Sequence, residues 1–237
     1  SLVIDNPPIY EGKKAGISVL LSAMLANGTQ SIPKDTFNEE VDFMGASLRL
    51  SATGGYASSL SRFFPRILEL MANALQQPLL DEKEFKKQQN LLLDSIKANE
   101  KNIETIASRV GNKVTFGDKH PYGEFLSQKS IQSVKLKDIQ SYYKKYIRPN
   151  KAYLIVVGDV SFNKIKTQIT NLFETWKPAK LRFKKLPKVQ NPKESELTLV
   201  HMPSAVQSSI SAKNTYDLEM NHPDFFALKL ANQMSFH

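Results

Sequence analysis

Residues 177–193 cannot belong to a compact core. They hold seven basic residues (Lys177, Lys180, Arg182, Lys184, Lys185, Lys188 and Lys193), three prolines (Pro178, Pro187 and Pro192) and no acid. Like charges repel and extend a chain, and proline at that density breaks helices. The stretch reads as a linker over residues 177–194. It divides the chain of 237 residues into a first unit, 1–176, and the opening of a second, 195–237. With 41% apolar and 23% charged residues, the chain has the composition of a globular protein and can bury a core.

Hydrophobic period assigns the elements on either side. A strand end at residues 1–6 precedes a helix over Ala15–Asn27, whose stripe is Ile17, Leu20, Leu21, Met24 and Leu25. A second helix runs from Ser31 through Pro33 to Met44. Residues 47–52 and 56–63 alternate as two strands of a hairpin, with Gly54-Gly55 read as the turn. Helices are expected from Pro65 to just before Pro78, Asp81 to about Glu100, Ile103 to Phe116 and Lys137 to Tyr146. Ala152–Gly158 is a continuous apolar run, which suits a strand covered on both faces. A helix capped by Ser161 follows. Beyond the linker come two strands, near Glu196–His201 and Gln207–Lys213, and a helix from Pro223 to Gln233. The second opening echoes the first. The fold class is therefore α+β, with duplicated units of antiparallel sheet and helices.

Searches for chemistry find no catalytic set. There is no Cys, which excludes a disulfide scaffold, a thiolate metal site and a cysteine nucleophile. The histidines are His120, His201, His222 and His237, none spaced to share a helical face as a zinc pair. His120-Pro121-Tyr122-Gly123 reads as a loop anchor rather than a general base. His222 reads as a helix cap, and Asp81, Glu82 and Glu84 as a helix N-terminus. Tyr142, Tyr143 and Tyr146 read as the inward face of a helix whose lysines point out, rather than a base-stacking surface. The net charge is +9 and is spread along the chain, apart from the linker. No apolar run approaches the ~20 residues that span a bilayer. No basic segment followed by an apolar core opens the sequence, so no signal peptide is visible. The compartment stays open between periplasm and cytoplasm.

The order of short motifs resembles the pitrilysin/insulinase family of zinc peptidases, which includes mitochondrial processing peptidase subunits and bacterial relatives. The resemblance rests on Lys14-Ala15-Gly16-Ile17, Met24-Leu25-Ala26-Asn27-Gly28-Thr29, Phe43-Met44-Gly45-Ala46-Ser47-Leu48 and Gln77-Pro78. It continues through Phe85-Lys86-Lys87-Gln88, His120-Pro121-Tyr122-Gly123, Tyr142-Tyr143-Lys144-Lys145-Tyr146, Arg148-Pro149-Asn150 and Val156-Val157-Gly158-Asp159-Val160. No one motif is specific; their order is.

In that family the first helix carries His-x-x-Glu-His, and a glutamate on the long helix completes the zinc site. The resemblance places Val19, Ser22 and Ala23 at the His, Glu and His positions. The downstream glutamate falls at or near Ser95, with Asp94 adjacent. Valine, serine and alanine supply neither ligand nor base and a lone Asp94 cannot hold zinc, so the resemblance implies no metal, no cofactor and no catalysis by this chain alone. It implies a degenerate subunit that pairs with a catalytic zinc-peptidase subunit or forms a homo-oligomer. Such a subunit holds extended peptide at a sheet edge, and neither nucleic acid nor a membrane span is expected. In several bacterial pairs the degenerate partner also supplies an Arg/Tyr pair from its second domain, beyond His237. A complete member has a finished second domain, so the chain is expected to be part of a longer one. The competing reading is a structural or assembly protein on the same fold, like the core subunits of respiratory complex III.

Overall fold

The structure is a computed structural model and describes residues 1–203 and 205–234. A four-stranded antiparallel sheet is built from β1 (Leu2–Ile4), β2 (Ser47–Ser51), β3 (Gly54–Ser58) and β4 (Ala152–Leu154), in the order β2-β3-β1-β4. The first strand pairs with β3 through Val3 and Gly54 and with β4 through Val3 and Tyr153. The amino-terminal residues thus sit in the middle of the sheet, held by partners distant in sequence.

Helices cover one face. They are α1 (Ile17–Met24), α2 (Lys34–Phe43), α3 (Phe64–Gln76), α4 (Glu82–Ala98), α5 (Ile103–Phe116), α6 (Gln128–Ser133), α7 (Leu136–Tyr146) and α8 (Phe162–Phe173). A ninth, α9 (Phe225–Met234), lies beyond the linker. The core joins Leu2 and Ile4 of the sheet to Leu20, Leu21 and Met24 of α1 and to Ile67, Met71 and Leu75 of α3. Tyr143 of α7 seals the end of α3 by donating its hydroxyl to the Leu75 and Gln76 carbonyls at 2.9 and 2.7 Å. Burial pushes that phenol up to about 12.

Several expected elements differ. The hairpin turns at Ala52-Thr53, and Gly54-Gly55 belongs to β3, with Ser51 opposite Gly54. Glycine is needed there because β1 runs close by: a Cβ on Gly54 would stand 2.2 Å from the Leu2 carbonyl oxygen. The helix expected over 15–27 spans only 17–24, since Leu25 is extended and Ala26 takes a left-handed φ of 59°. The second helix starts at Lys34, after Pro33, rather than at Ser31.

The apolar run 152–158 is not a strand covered on both faces. Its ladder stops at Leu154, extended by the Ile155 amide donating to the Ser1 carbonyl at 2.8 Å. Tyr153, Ile155 and Val157 are 59, 53 and 91% exposed, because β4 is a sheet edge with helices on one side only. Ser161 precedes α8 without a side-chain cap bond. Neither strand expected near 196–201 or 207–213 forms among the described residues, where neither segment finds a ladder partner.

Candidate functional site

A cavity of about 550 Å³ opens where α1 begins, beside the end of α4, the middle of α5 and the loop 121–126. Glu11 builds its floor. This carboxylate accepts from the Gly16, Ile17 and Ser18 amides at 2.7, 2.9 and 2.8 Å. Those are the orphan donors at the start of α1, so a residue ahead of the helix does the work of an N-cap. Gly16 itself cannot do so. It takes φ 114°, and a Cβ there would stand 2.2 Å from Ile131 Cδ1.

Glu124 holds Glu11 in place from the other side. Its carboxylate accepts from the Glu11 amide at 3.0 Å and from the Gly12 amide. Burial raises the Glu124 carboxyl above the ordinary carboxylate value, against the opposing pull of those two amides. The loop that presents Glu124 is anchored by His120, which is 6% exposed and stacks on Phe116 with ring centroids 5.2 Å apart. Its Nδ1 accepts from the Tyr122 amide at 3.2 Å. His120 is thus the loop anchor its setting in the sequence suggests.

Val19 and Ser95 line the same cavity, Val19 from α1 and Ser95 from α4, joined by Ser18, Asn99, Thr105 and Arg109. Val19 is 41% exposed, whereas the neighbouring Leu20 and Leu21 are buried in the core. Ser22 turns elsewhere. Its hydroxyl donates to the Ser18 carbonyl at 2.6 Å and accepts from the Ala52 amide at 2.9 Å, tying α1 to the end of β2. Ala23 is half-buried, and its carbonyl accepts from the Asn27 side chain. The structure therefore brings together two of the four positions singled out in the sequence. Asp94 is exposed on α4.

Zinc does not fit these walls. A valine offers no lone pair and a serine hydroxyl is a poor substitute for imidazole or carboxylate. The two carboxylates present already accept five backbone amides between them. Among the described residues, no group of three or more His, Cys, Asp or Glu is placed to hold a metal ion. What the cavity offers is hydroxyls, one amide and one guanidinium, a set that binds polar groups. Sequence reading missed Glu11, Glu124, Asn99 and Arg109. The Glu11–Glu124 clamp joins residues 113 apart, and Glu11 lies outside the usual N-cap position, so no local pattern marks either.

The family model for Insulinase (Peptidase family M16) matches residues 1–122, more than half of the chain. The chain belongs to this family. Residues 133–237 match the model for the Peptidase M16 inactive domain. Among curated relatives, the Bos taurus mitochondrial cytochrome b-c1 complex subunit 1 is 21% identical over 99% of this chain and 50% of its own length. The beta subunit of the Bos taurus mitochondrial-processing peptidase is 23% identical over 98% of this chain and 48% of its own. The chain thus spans about half the length of these relatives.

Two solved structures share the M16 fold. A Helicobacter pylori protease superposes with TM-score 0.65 at 22% identity, over 79% of this chain and 46% of that one. A Pseudomonas fluorescens peptidase M16 inactive domain gives 0.67 at 20% identity, over 80% and 48%. Among the described residues, no helix is long and apolar enough to cross a membrane.

Proposed function

We propose that this chain is a non-catalytic M16 subunit that pairs with an active zinc-bearing M16 subunit in peptide degradation or processing. One observation supports the reading: Val19 and Ser95, which the motif order aligns with two of the family's zinc-site positions, line one cavity beside α1 and α4 and offer no metal donor set. The scaffold is kept and the donor set is gone. In this reading the chain encloses and holds extended peptide, while the partner supplies metal and base. Residues 1–176 form its first domain, 177–194 the linker and 195–237 the start of a second.

The test is metal analysis of the purified chain beside cleavage of a fluorescent unfolded peptide. The chain is assayed alone and mixed with a co-expressed M16 subunit that carries His-x-x-Glu-His. The expected result is no chelator-sensitive cleavage alone and activity on mixing. Stoichiometric zinc with chelator-sensitive cleavage by the chain alone would overturn the proposal.

A second reading, a structural or assembly subunit with no peptidase role, is favoured by the match to cytochrome b-c1 complex subunit 1 over 99% of the chain. No cleavage in either arm, with a stable complex still recovered, supports that one.

A further inference from the structure

The linker is not a loose tether, and it carries the inference. Its backbone is fastened to the body: Asn150 donates its side-chain amide to the Ala179 carbonyl at 2.9 Å and accepts from the Ala179 amide at 3.0 Å. Phe183 stacks on Tyr146 at the end of α7, with centroids 5.9 Å apart and planes 21° apart. Ala179, Leu181 and Phe183 are half-buried, while Lys180, Arg182 and Lys184 between them are exposed. This alternation is that of an extended strand, apolar side down and cations up.

After Lys184 the alternation ends: two exposed residues separate each half-buried one from the next, Lys184-Lys185 between Phe183 and Leu186 and Pro187-Lys188 between Leu186 and Val189. Lys145 adds to the row, its ammonium 4.8 Å from the Tyr146 ring on which Phe183 stacks. Among the described residues, none of these six cations takes part in an ion pair. The anchored segment 179–184 thus presents three exposed cations at alternate positions, Lys180, Arg182 and Lys184, free of carboxylate partners.

We infer that the row Lys180-Arg182-Lys184 is a docking rail for an acidic polypeptide segment in extended form, with Asp or Glu at alternate positions. Two extended chains match because each repeats its side chains on one face every ~6.8 Å. Charge complementarity of this kind sets orientation and speeds encounter. Single-stranded nucleic acid fits less well, since the rings beside the row, Tyr146 and Phe183, are stacked on each other rather than open to bases. A membrane also fits less well: the apolar residues of the rail face the body and offer nothing to insert, and the cations follow a line. The inference is independent of the cavity between α1 and α4.

The test is fluorescence anisotropy of a short labelled peptide of alternating Glu and Thr, titrated with the whole chain at low and at physiological ionic strength. The triple variant K180E/R182E/K184E is expected to weaken binding about tenfold or more, the sum of several exposed ion pairs. An equal charge change on exposed positions of α4, K83E/K86E/K87E, is expected to change it about twofold or less. Thermal melts of both variants confirm that they fold. Equal weakening by the two triples would mean that only net charge acts and would overturn the inference. So would tighter binding, at equal charge concentration, to phosphatidylserine vesicles or to a single-stranded oligonucleotide than to the peptide.

Discussion

Replacing Glu11 tests whether a carboxylate outside the helix organises the cavity. In E11A the Gly16, Ile17 and Ser18 amides lose acceptors now at 2.7–2.9 Å in a partly buried setting. Loss of an N-cap costs roughly 0.5–2 kcal/mol. Removing a negative charge from a helix N-terminus costs a further ~0.3–1 kcal/mol. Three amides compete for one side chain here, rather than the single amide of an ordinary cap, which places the total at about 2–4 kcal/mol. E11Q keeps one acceptor oxygen and no charge, so it is expected at about half that loss. For a unit of this size, ~2–4 °C of melting temperature goes with each kcal/mol. The assay is urea unfolding followed by far-ultraviolet circular dichroism, with the slope checked for two-state behaviour. A loss below about 0.5 kcal/mol in E11A, the scale of an ordinary surface substitution, would refute the argument that Glu11 caps α1.

Other outcomes follow from the same contacts. S22A strands the amide of buried Ala52, which now donates to the Ser22 hydroxyl at 2.9 Å, and is expected to cost about 1–3 kcal/mol in the same unfolding assay. Glu124 has its carboxyl raised in the folded chain. Between the ordinary carboxylate value and the raised one, the native state holds a proton that the unfolded state has lost. Its contribution is therefore full below the ordinary value and falls as pH rises to the raised one. Subtracting the stability–pH curve of E124Q from that of the parent should expose this falling limb, and a flat difference would count against it. Asp138 has the opposite sign. Burial raises its carboxyl, but hydrogen bonds from the Lys14 ammonium and the Lys135 amide, with the charges of Lys14 and Lys137, together outweigh it and leave it lowered. Its contribution is lost as pH falls through the lowered value, which the difference curve of D138N should record. Finally, Ser22 and Ala23 do not line the cavity, but the proposed reading places positions 19, 23 and 95 around one zinc with position 22 as base. The longer side chains of the variant V19H/S22E/A23H/S95E are therefore expected to reach and bind zinc, read by metal analysis after dialysis. A folded variant without zinc would show that the four positions do not share a site.

The helices were legible wherever one face had to be buried. The Leu20-Leu21-Met24 stripe and that of Ile67, Met71 and Leu75 announce α1 and α3 because a period of 3.6 has no other use. Misreadings occurred where the deciding partner is remote. Glycine at 54 and 55 looks like a turn, but its cause is the approach of β1, some fifty residues away. The run 152–158 looks buried on both sides because residue types do not reveal which edge of a sheet a strand will occupy. The six-residue α6 carries only a Ser127–Ser130 capping pair as its signal. Of the cavity, only Val19 and Ser95 could be reached from sequence, through the family's motif order. Glu11 and Glu124 carry no motif, and their roles arise from a contact across 113 residues.

The arrangement of α1 also shows how this helix is held without the donor set that the proposed reading finds missing. The residues that hold this helix are Leu20, Leu21 and Met24, all at most 1% exposed, with Glu11 at its start. None of them is a position that the motif order assigns to zinc. Val19 faces the cavity, so exchanging an imidazole for a small apolar group there leaves the core untouched. The exception is Ser22, whose hydroxyl is short enough to bridge the Ser18 carbonyl and the Ala52 amide. Glutamate at this position moves its polar atoms two bonds further out and leaves the Ala52 amide unpaired. Introducing the motif therefore works against the contact that Ser22 makes with the Ala52 amide. The zinc-binding variant should be less stable than the parent without metal and should recover stability as zinc is added, by mass action on the folded state.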